Sequence, residues 1–329
     1  MAVLDIGVLG SLAVRVNGVS VAPSAPKPRQ VLALLAVNAD RIVGVDVLVE
    51  ELWGRTPPRS ARPTLQTYIL QIRELITAAL GADTPADTDA PADAESSKDV
   101  LATVPGGYVL RVGGGGVDVW EFERLAGRGY RAVDGEDFAA AAGLLGEALG
   151  LFSGVPLGDV TTGTHLRTQV RRLEEARLCA LDQRIDAELR LGRHRELLAE
   201  LTVLVSRYPA HESLCGQLMV ALYRSGRRGE ALEAYQRLRT VLVRSLGLEP
   251  SAALAKLQRS ILRAGPESGV LGAGRAVRPA APTGPTGPAV AATAAVPPAP
   301  PVPGVRLTGP VAPAARPVTP IGRAGRAGA

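Results

Sequence analysis

Four consecutive glycines, Gly113–Gly116, divide the chain into two parts that obey different hydrophobic periods. No regular element favours four glycines in a row, because each loses the most backbone entropy on folding and offers no side chain to pack. The run reads as a flexible joint. Before it, short β-rich runs mix with amphipathic helical stretches. After it, from Asp118 to about Ala264, apolar residues recur at helical spacing throughout. The expected architecture is therefore α+β first and all-α second.

In the first part, residues 3–22 read as short strands, with Asn17-Gly18 between Val14/Val16 and Val19/Val21 as a two-residue hairpin signal. Residues 28–38 turn helical, Val31, Leu34 and Leu35 standing at i, i+3, i+4. A second helix is expected at about 45–53, ended by Gly54 and the turn Thr56-Pro57-Pro58. Ser60 suits the N-cap of a third helix running to about Leu80, with Pro63 in its first turn, where a missing N–H costs little. Residues 81–99 read as a flexible acidic insertion, in which Asp83, Asp87, Asp89, Asp93, Glu95 and Asp99 face only Lys98. Residues 100–112 read as a hairpin around Pro105-Gly106-Gly107.

That order of elements predicts a winged helix-turn-helix, with the third helix lying in a major groove and the hairpin as its wing. The helix carries two faces. Leu65, Ile69, Ile72 and Ile76 form a stripe for the core. Thr64, Thr67, Tyr68 and Gln71 form an adjacent uncharged face able to donate, accept or touch a thymine methyl. Arg59, Arg62 and Arg73 flank it and suit phosphates or guanine edges; Lys27 and Arg29 open the first helix as candidate backbone contacts; Thr103 and Tyr108 sit on the wing. A stripe of Thr, Gln and Arg is by itself an ordinary solvated helix face, so the surrounding elements carry the reading. Trp53, Tyr223 and Tyr235 read as packing residues.

In the second part, Gly192 and Gly226 stand 34 residues apart, the tetratricopeptide period. Gly226, Ala231 and Tyr235 fill the Gly, Ala and aromatic positions of that motif; Leu197 and Leu201 follow Gly192, and a weaker copy surrounds Gly135 with Ala141, Leu145 and Ala148. Stacked helical pairs suit protein partners. The tail, 265–329, holds fourteen of the 26 prolines and is expected to be disordered. Its six arginines against Glu267 account for the whole net charge of +5, so overall basicity is weak support for nucleic-acid binding.

Enzyme chemistry finds no footing. There is no GxxxxGK[ST] loop and no GxSxG elbow, and Gly113–Gly116 lacks the strand–glycine–helix setting of a dinucleotide fold. His165, His194 and His211 share no zinc spacing with each other or with Cys179 and Cys215. No metal or cofactor is expected. Two cysteines imply no disulfide framework, and no apolar run suits a membrane span or signal peptide, so a cytoplasmic, nucleoid-associated protein is expected.

The segments IGVLGSLAVRVNG, KPRQVLALLAVNADRIVGVDVLVEELWG, PPRSARPTLQTYILQIREL and VPGGYVLRV, followed by DVWEFERL, LEEARLCALDQRIDAEL, GQLMVALYRSGRRGEALEAYQRLRTVL and LGLEPS, resemble the Streptomyces antibiotic regulatory proteins over about residues 3–263. The resemblance implies an OmpR-type winged helix over 1–113, a tetratricopeptide-like bacterial transcriptional activation domain over 118–264 and a tail beyond. It implies an activator that binds direct repeats in promoter DNA, self-associates there, recruits RNA polymerase holoenzyme and switches on a secondary-metabolite gene cluster. Thr64, Thr67, Tyr68, Gln71 and Arg73 fall in the family's recognition-helix segment, and Thr103 and Tyr108 in its wing. Two departures stand out: Pro63 where a small polar residue is common, and the insertion 81–99, whose charge would repel phosphate and so is expected to loop away from DNA. Nothing resembles a receiver or an ATPase module. The alternative is a tetratricopeptide-like adaptor whose N-terminal part does not bind DNA.

Overall fold

The computed structural model describes residues 2–81 and 96–263. The chain opens with an antiparallel meander of β1 (Leu4–Gly7), β2 (Ala13–Val16) and β3 (Val19–Ser20), in register Leu4↔Val16, Ile6↔Val14 and Val16↔Val19. The Asn17-Gly18 turn has positive φ at both residues, +49° and +83°, as a tight right-twisted hairpin needs. Helices α1 (Pro26–Val37), α2 (Val45–Trp53) and α3 (Ala61–Gly81) follow at their expected places. The second hairpin is β5 (Leu101–Val104) with β6 (Gly107–Leu110).

Two short elements escaped the sequence reading. β4 (Val43–Gly44) pairs with Tyr108 and Gly107 of β6, and two residues are too few to leave a period. α4 (Ser97–Val100) occupies the end of the expected flexible insertion. Ser96 Oγ accepts from the Lys98 amide at 3.0 Å, and Asp99 Oδ2 accepts from the Ser96 amide at 2.9 Å, a reciprocal cap that fixes this turn. Asp99 is thus a structural cap and not part of a solvated acidic run. The remainder of the insertion, 82–95, and the tail, 265–329, lie outside the described residues.

The glycine joint is also different from expectation. Its backbone runs alongside β1: the Leu4 amide donates to Val112 O, the Ile6 amide donates to Gly116 O at 2.8 Å, and Ile6 bridges Val117. A Cβ on Gly115 would fall 2.0 Å from Leu4 O, so the glycine is demanded by close backbone approach and not by freedom of motion.

Beyond it come α5 (Asp118–Asp134), α6 (Phe138–Gly150), α7 (Thr164–Arg190), α8 (Leu197–Arg207), α9 (Glu212–Arg224), α10 (Arg228–Leu246) and α11 (Ala252–Arg263). Gly192 and Gly226 take φ of +83° and +81° and close α7 and α9 identically: the Arg193 amide reaches Glu188 O and the Arg227 amide reaches Leu222 O. Leu197, Leu201, Ala231 and Tyr235 are buried where the 34-residue period places them. In the weaker copy the left-handed position falls on Glu136 (φ +59°), one residue after Gly135, and the Asp137 amide reaches Ala132 O.

Among the described residues two large apolar cores form, with a small alanine cluster of Ala141, Ala142 and Ala187 beside them. The first runs from Ala2 to Ala180 and joins the meander, α1–α3 and the second hairpin to α5, α6 and the start of α7. The second runs from Ile185 to Ile261. Helix α7 contributes Leu166, Leu173 and Ala180 to one and Ile185 and Leu189 to the other, so it is the spine between them.

Candidate nucleic-acid interface

Helix α3 buries Leu65, Ile69, Ile72 and Ile76, each 2% exposed or less, and this fixes which side of it faces solvent. Helix α2 braces it across the turn Arg55–Ser60, all of which is exposed. The β5–β6 hairpin is fastened to α3 by Arg73, whose Nη2 donates to Leu101 O and to Thr103 Oγ1, both at 2.7 Å, while its Nε donates to Leu101 O. Thr77 Oγ1 adds a bond to Ser97 Oγ of α4 at 2.9 Å. The result is one surface made by the α2–α3 turn, the outer side of α3 and the hairpin edge.

The eleven residues singled out in the sequence divide by placement. Arg59, Arg62, Thr67, Gln71 and Thr103 are exposed on this surface. Arg62 pairs with Asp46 at 2.9 Å, but both side chains are largely in water, where such a pair holds weakly. Thr64, Tyr68 and Arg73 are half-buried, Tyr68 resting against the first core and Arg73 serving as the hairpin clamp. Lys27, Arg29 and Tyr108 turn inward. Lys27 Nζ donates to Leu52 O, holding α1 to the end of α2. Arg29 donates to Leu12 O and Pro23 O and pairs with Asp159. Tyr108 is 7% exposed and belongs to the core. Gln66 and Leu70, which the sequence reading passed over, are also exposed on α3.

Behind the surface, three carboxylates tie the first 81 residues to the helices beyond the joint. Glu51, 3% exposed on α2, caps α7: its Oε1 accepts from the Gly163 amide and its Oε2 accepts from the His165 and Leu166 amides at 2.8 and 3.1 Å. Gln30 Nε2 of α1 donates to the same carboxylate at 3.0 Å. Asp118, opening α5, accepts from the Val8 and Leu9 amides at 2.7 and 2.8 Å. Burial pushes its carboxyl above the usual carboxylate range, opposed by those amide bonds. Asp159 accepts from the Leu12 amide at 2.8 Å while holding Arg29. No local spacing announces such partners, which lie more than a hundred residues apart. Of the histidines, His165 reaches Glu50, His211 Nδ1 caps α9, and His194 Nδ1 is buried without a hydrogen-bond partner.

Residues 117–262 match the family model of the bacterial transcriptional activator domain. The chain is 50% identical over 263 residues to the regulatory protein DnrI of Streptomyces peucetius, a match covering 80% of this chain and 93% of that protein. It is 34% identical over 274 residues to the regulatory protein AfsR of Streptomyces coelicolor, covering 83% of this chain and 26% of AfsR. The structure of Mycobacterium tuberculosis EmbR in complex with a low affinity phosphopeptide aligns with a TM-score of 0.69 at 32% identity, covering 80% of this chain and 66% of that one. With its small N-terminal sheets and its tetratricopeptide-like helical part, the chain belongs to the Streptomyces antibiotic regulatory protein family and is a transcriptional activator, not an enzyme.

Proposed function

We propose that α2, α3 and the β5–β6 hairpin form an OmpR-type winged helix that reads double-stranded promoter DNA, with α3 in the major groove. The observation that carries this is the exposed side of α3, where Thr67 and Gln71 stand uncharged between the Arg59–Arg62 end and the hairpin clamped by Arg73. Thr67, Gln71 and half-buried Thr64 and Tyr68 meet base edges; Arg59, Arg62 and Thr103 meet phosphate. Arg73 sets the angle of the wing, Tyr108 seats it in the core, and Lys27 and Arg29 hold α1 as a brace behind the backbone contacts.

The division at 113–118 is one of labour more than of folding. Residues 1–113 read DNA, and the helices of 118–264 engage RNA polymerase. Protomers on direct repeats sit one helical turn or a multiple apart, so they share one face of the duplex and associate there. The target is a secondary-metabolite gene cluster, in keeping with the family. An adaptor without DNA binding has no use for an uncharged helix face beside exposed arginines.

The test is a promoter-shift titration of the combined Arg62→Ala, Gln71→Ala variant. A good base contact is worth roughly 1–3 kcal/mol, so specific affinity falls by about tenfold or more, and by more than the affinity for random duplex, which loses only the Arg62 phosphate contact. Unchanged specific affinity overturns the assignment of α3.

A further inference from the structure

The outward side of α3 carries two apolar residues, Pro63 and Leu70, among polar ones. Taking about 100° per residue and the buried stripe Leu65–Ile76 as reference, Thr67 lies about 10° from the opposite pole, Pro63 about 30°, and Leu70 and Gln71 about 50° to its two sides. Leu70 is 56% exposed there. Pro63 offers only a ring. Thr67 donates its hydroxyl proton to Pro63 O at 3.2 Å, leaving a lone pair and a methyl for an outside partner. Gln66 and Gln71, both exposed, stand to either side of this line. Glu74, the sole acid of α3, bounds it one turn further on.

We infer that Leu70, beside the Thr67 methyl, is a specificity-determining residue that reads a thymine by contact with its 5-methyl group in the major groove. The inference rests on the proposal that α3 enters that groove. In the major groove a thymine is the one base that presents a methyl, and an apolar side chain is the group that distinguishes it. The flanking glutamines match the adenine edges found beside such a thymine or across from it, since Gln pairs bidentately with adenine N6 and N7. A protein-docking face would need a wider apolar patch; here the leucine is hemmed by amides and an acid.

The experiment uses the full chain and duplexes enriched by it from a random-sequence pool. In the best enriched duplex each thymine is replaced in turn by deoxyuridine, which removes only the methyl. The expected result is one position per half-site at which wild type weakens about fourfold, the value of one buried methyl group. Leu70→Ala binds the thymine duplex with the affinity wild type shows for the uracil one, and no longer distinguishes the two. Leu70→Met, which keeps apolar reach, restores the distinction. Because Leu70 is exposed, both variants are expected to melt as wild type does. If no position responds to uracil, or if Leu70→Ala keeps the full response, the inference is overturned while DNA reading by α3 stands. If the pool yields no enriched duplex, the proposal beneath it falls as well.

Discussion

The two cores are built on opposite plans. The second, Ile185–Ile261, is assembled from neighbouring helices in which the turns after α7 and α9, 34 residues apart, are closed by the same glycine bond pattern. The first, Ala2–Ala180, gathers segments far apart in the chain and seals them with buried carboxylates: Glu51 on α7, Asp118 on the β1–β2 loop, Asp159 on Leu12 and Arg29. A locally built core can loosen one hairpin at a time. A core closed across the glycine joint holds or fails as a unit. The described elements before the joint and the first helices beyond it therefore fold as one body, and α7 runs from that body into the second core.

Glu51→Ala puts the greatest strain on this contrast. It leaves the Gly163, His165 and Leu166 amides without their acceptor inside a region where water is scarce, and it takes from Gln30 Nε2 one of two acceptors, the carbonyl of residue 51 remaining. A lost buried charged acceptor with several partners costs about 3–5 kcal/mol. Hydrogen exchange is expected to accelerate at the start of α7 and through α1–α3, while α9 and α10 keep their protection. Equal acceleration in both cores would mean that they are not separate cooperative units.

The contrast also explains what could be read from the sequence. Every long helix was legible, because each carries its own apolar stripe and stop signal; the 34-residue glycine spacing gave the turns of the second core. The joint misled because Gly113–Gly116 has two physical uses, freedom and close approach, and composition does not separate them; Leu4 O decides it. The insertion's far end misled because Ser96 and Asp99 look like solvated polar residues until their spacing as a reciprocal cap is noticed. On α3 the buried stripe was legible, whereas exposure along the rest of the helix was not: Thr64 and Tyr68 are half-buried, and Gln66 and Leu70 are exposed. Lys27 and Arg29 looked like phosphate contacts since their acceptors, Leu52 O, Leu12 O and Asp159, come from elsewhere in the chain.

A smaller effect sharpens the repeat side of the comparison. Gly226→Ala forces an L residue into φ +81° in open space, a penalty of about 1–2 kcal/mol with no clash to repair. Glu136 already bears that penalty at φ +59°. Glu136→Gly is expected to raise stability by up to about 1 kcal/mol, seen as a later unfolding midpoint in urea. Opposite signs at these two turns would show that the weaker copy differs from the other two only in where its left-handed residue falls.

The smallest effect concerns the seal at Asp118. Burial raises its carboxyl above 3.8 in the folded chain, so ionising it costs more when folded than when unfolded. The associated stability is complete below the unfolded value and is lost as pH climbs through the folded one. Asparagine keeps a carbonyl oxygen for the Val8 and Leu9 amides and never ionises. The difference in melting temperature between Asp118→Asn and wild type should therefore move in the variant's favour as pH rises through the window just above 3.8, then level off. The same scan on Asp182→Asn sets the second core beside the first, since burial raises that carboxyl too. A flat difference at Asp118 would mean that the amide bonds balance burial, and a difference moving in wild type's favour as pH rises would mean that they outweigh it; either result would overturn the strained carboxylate at this seal.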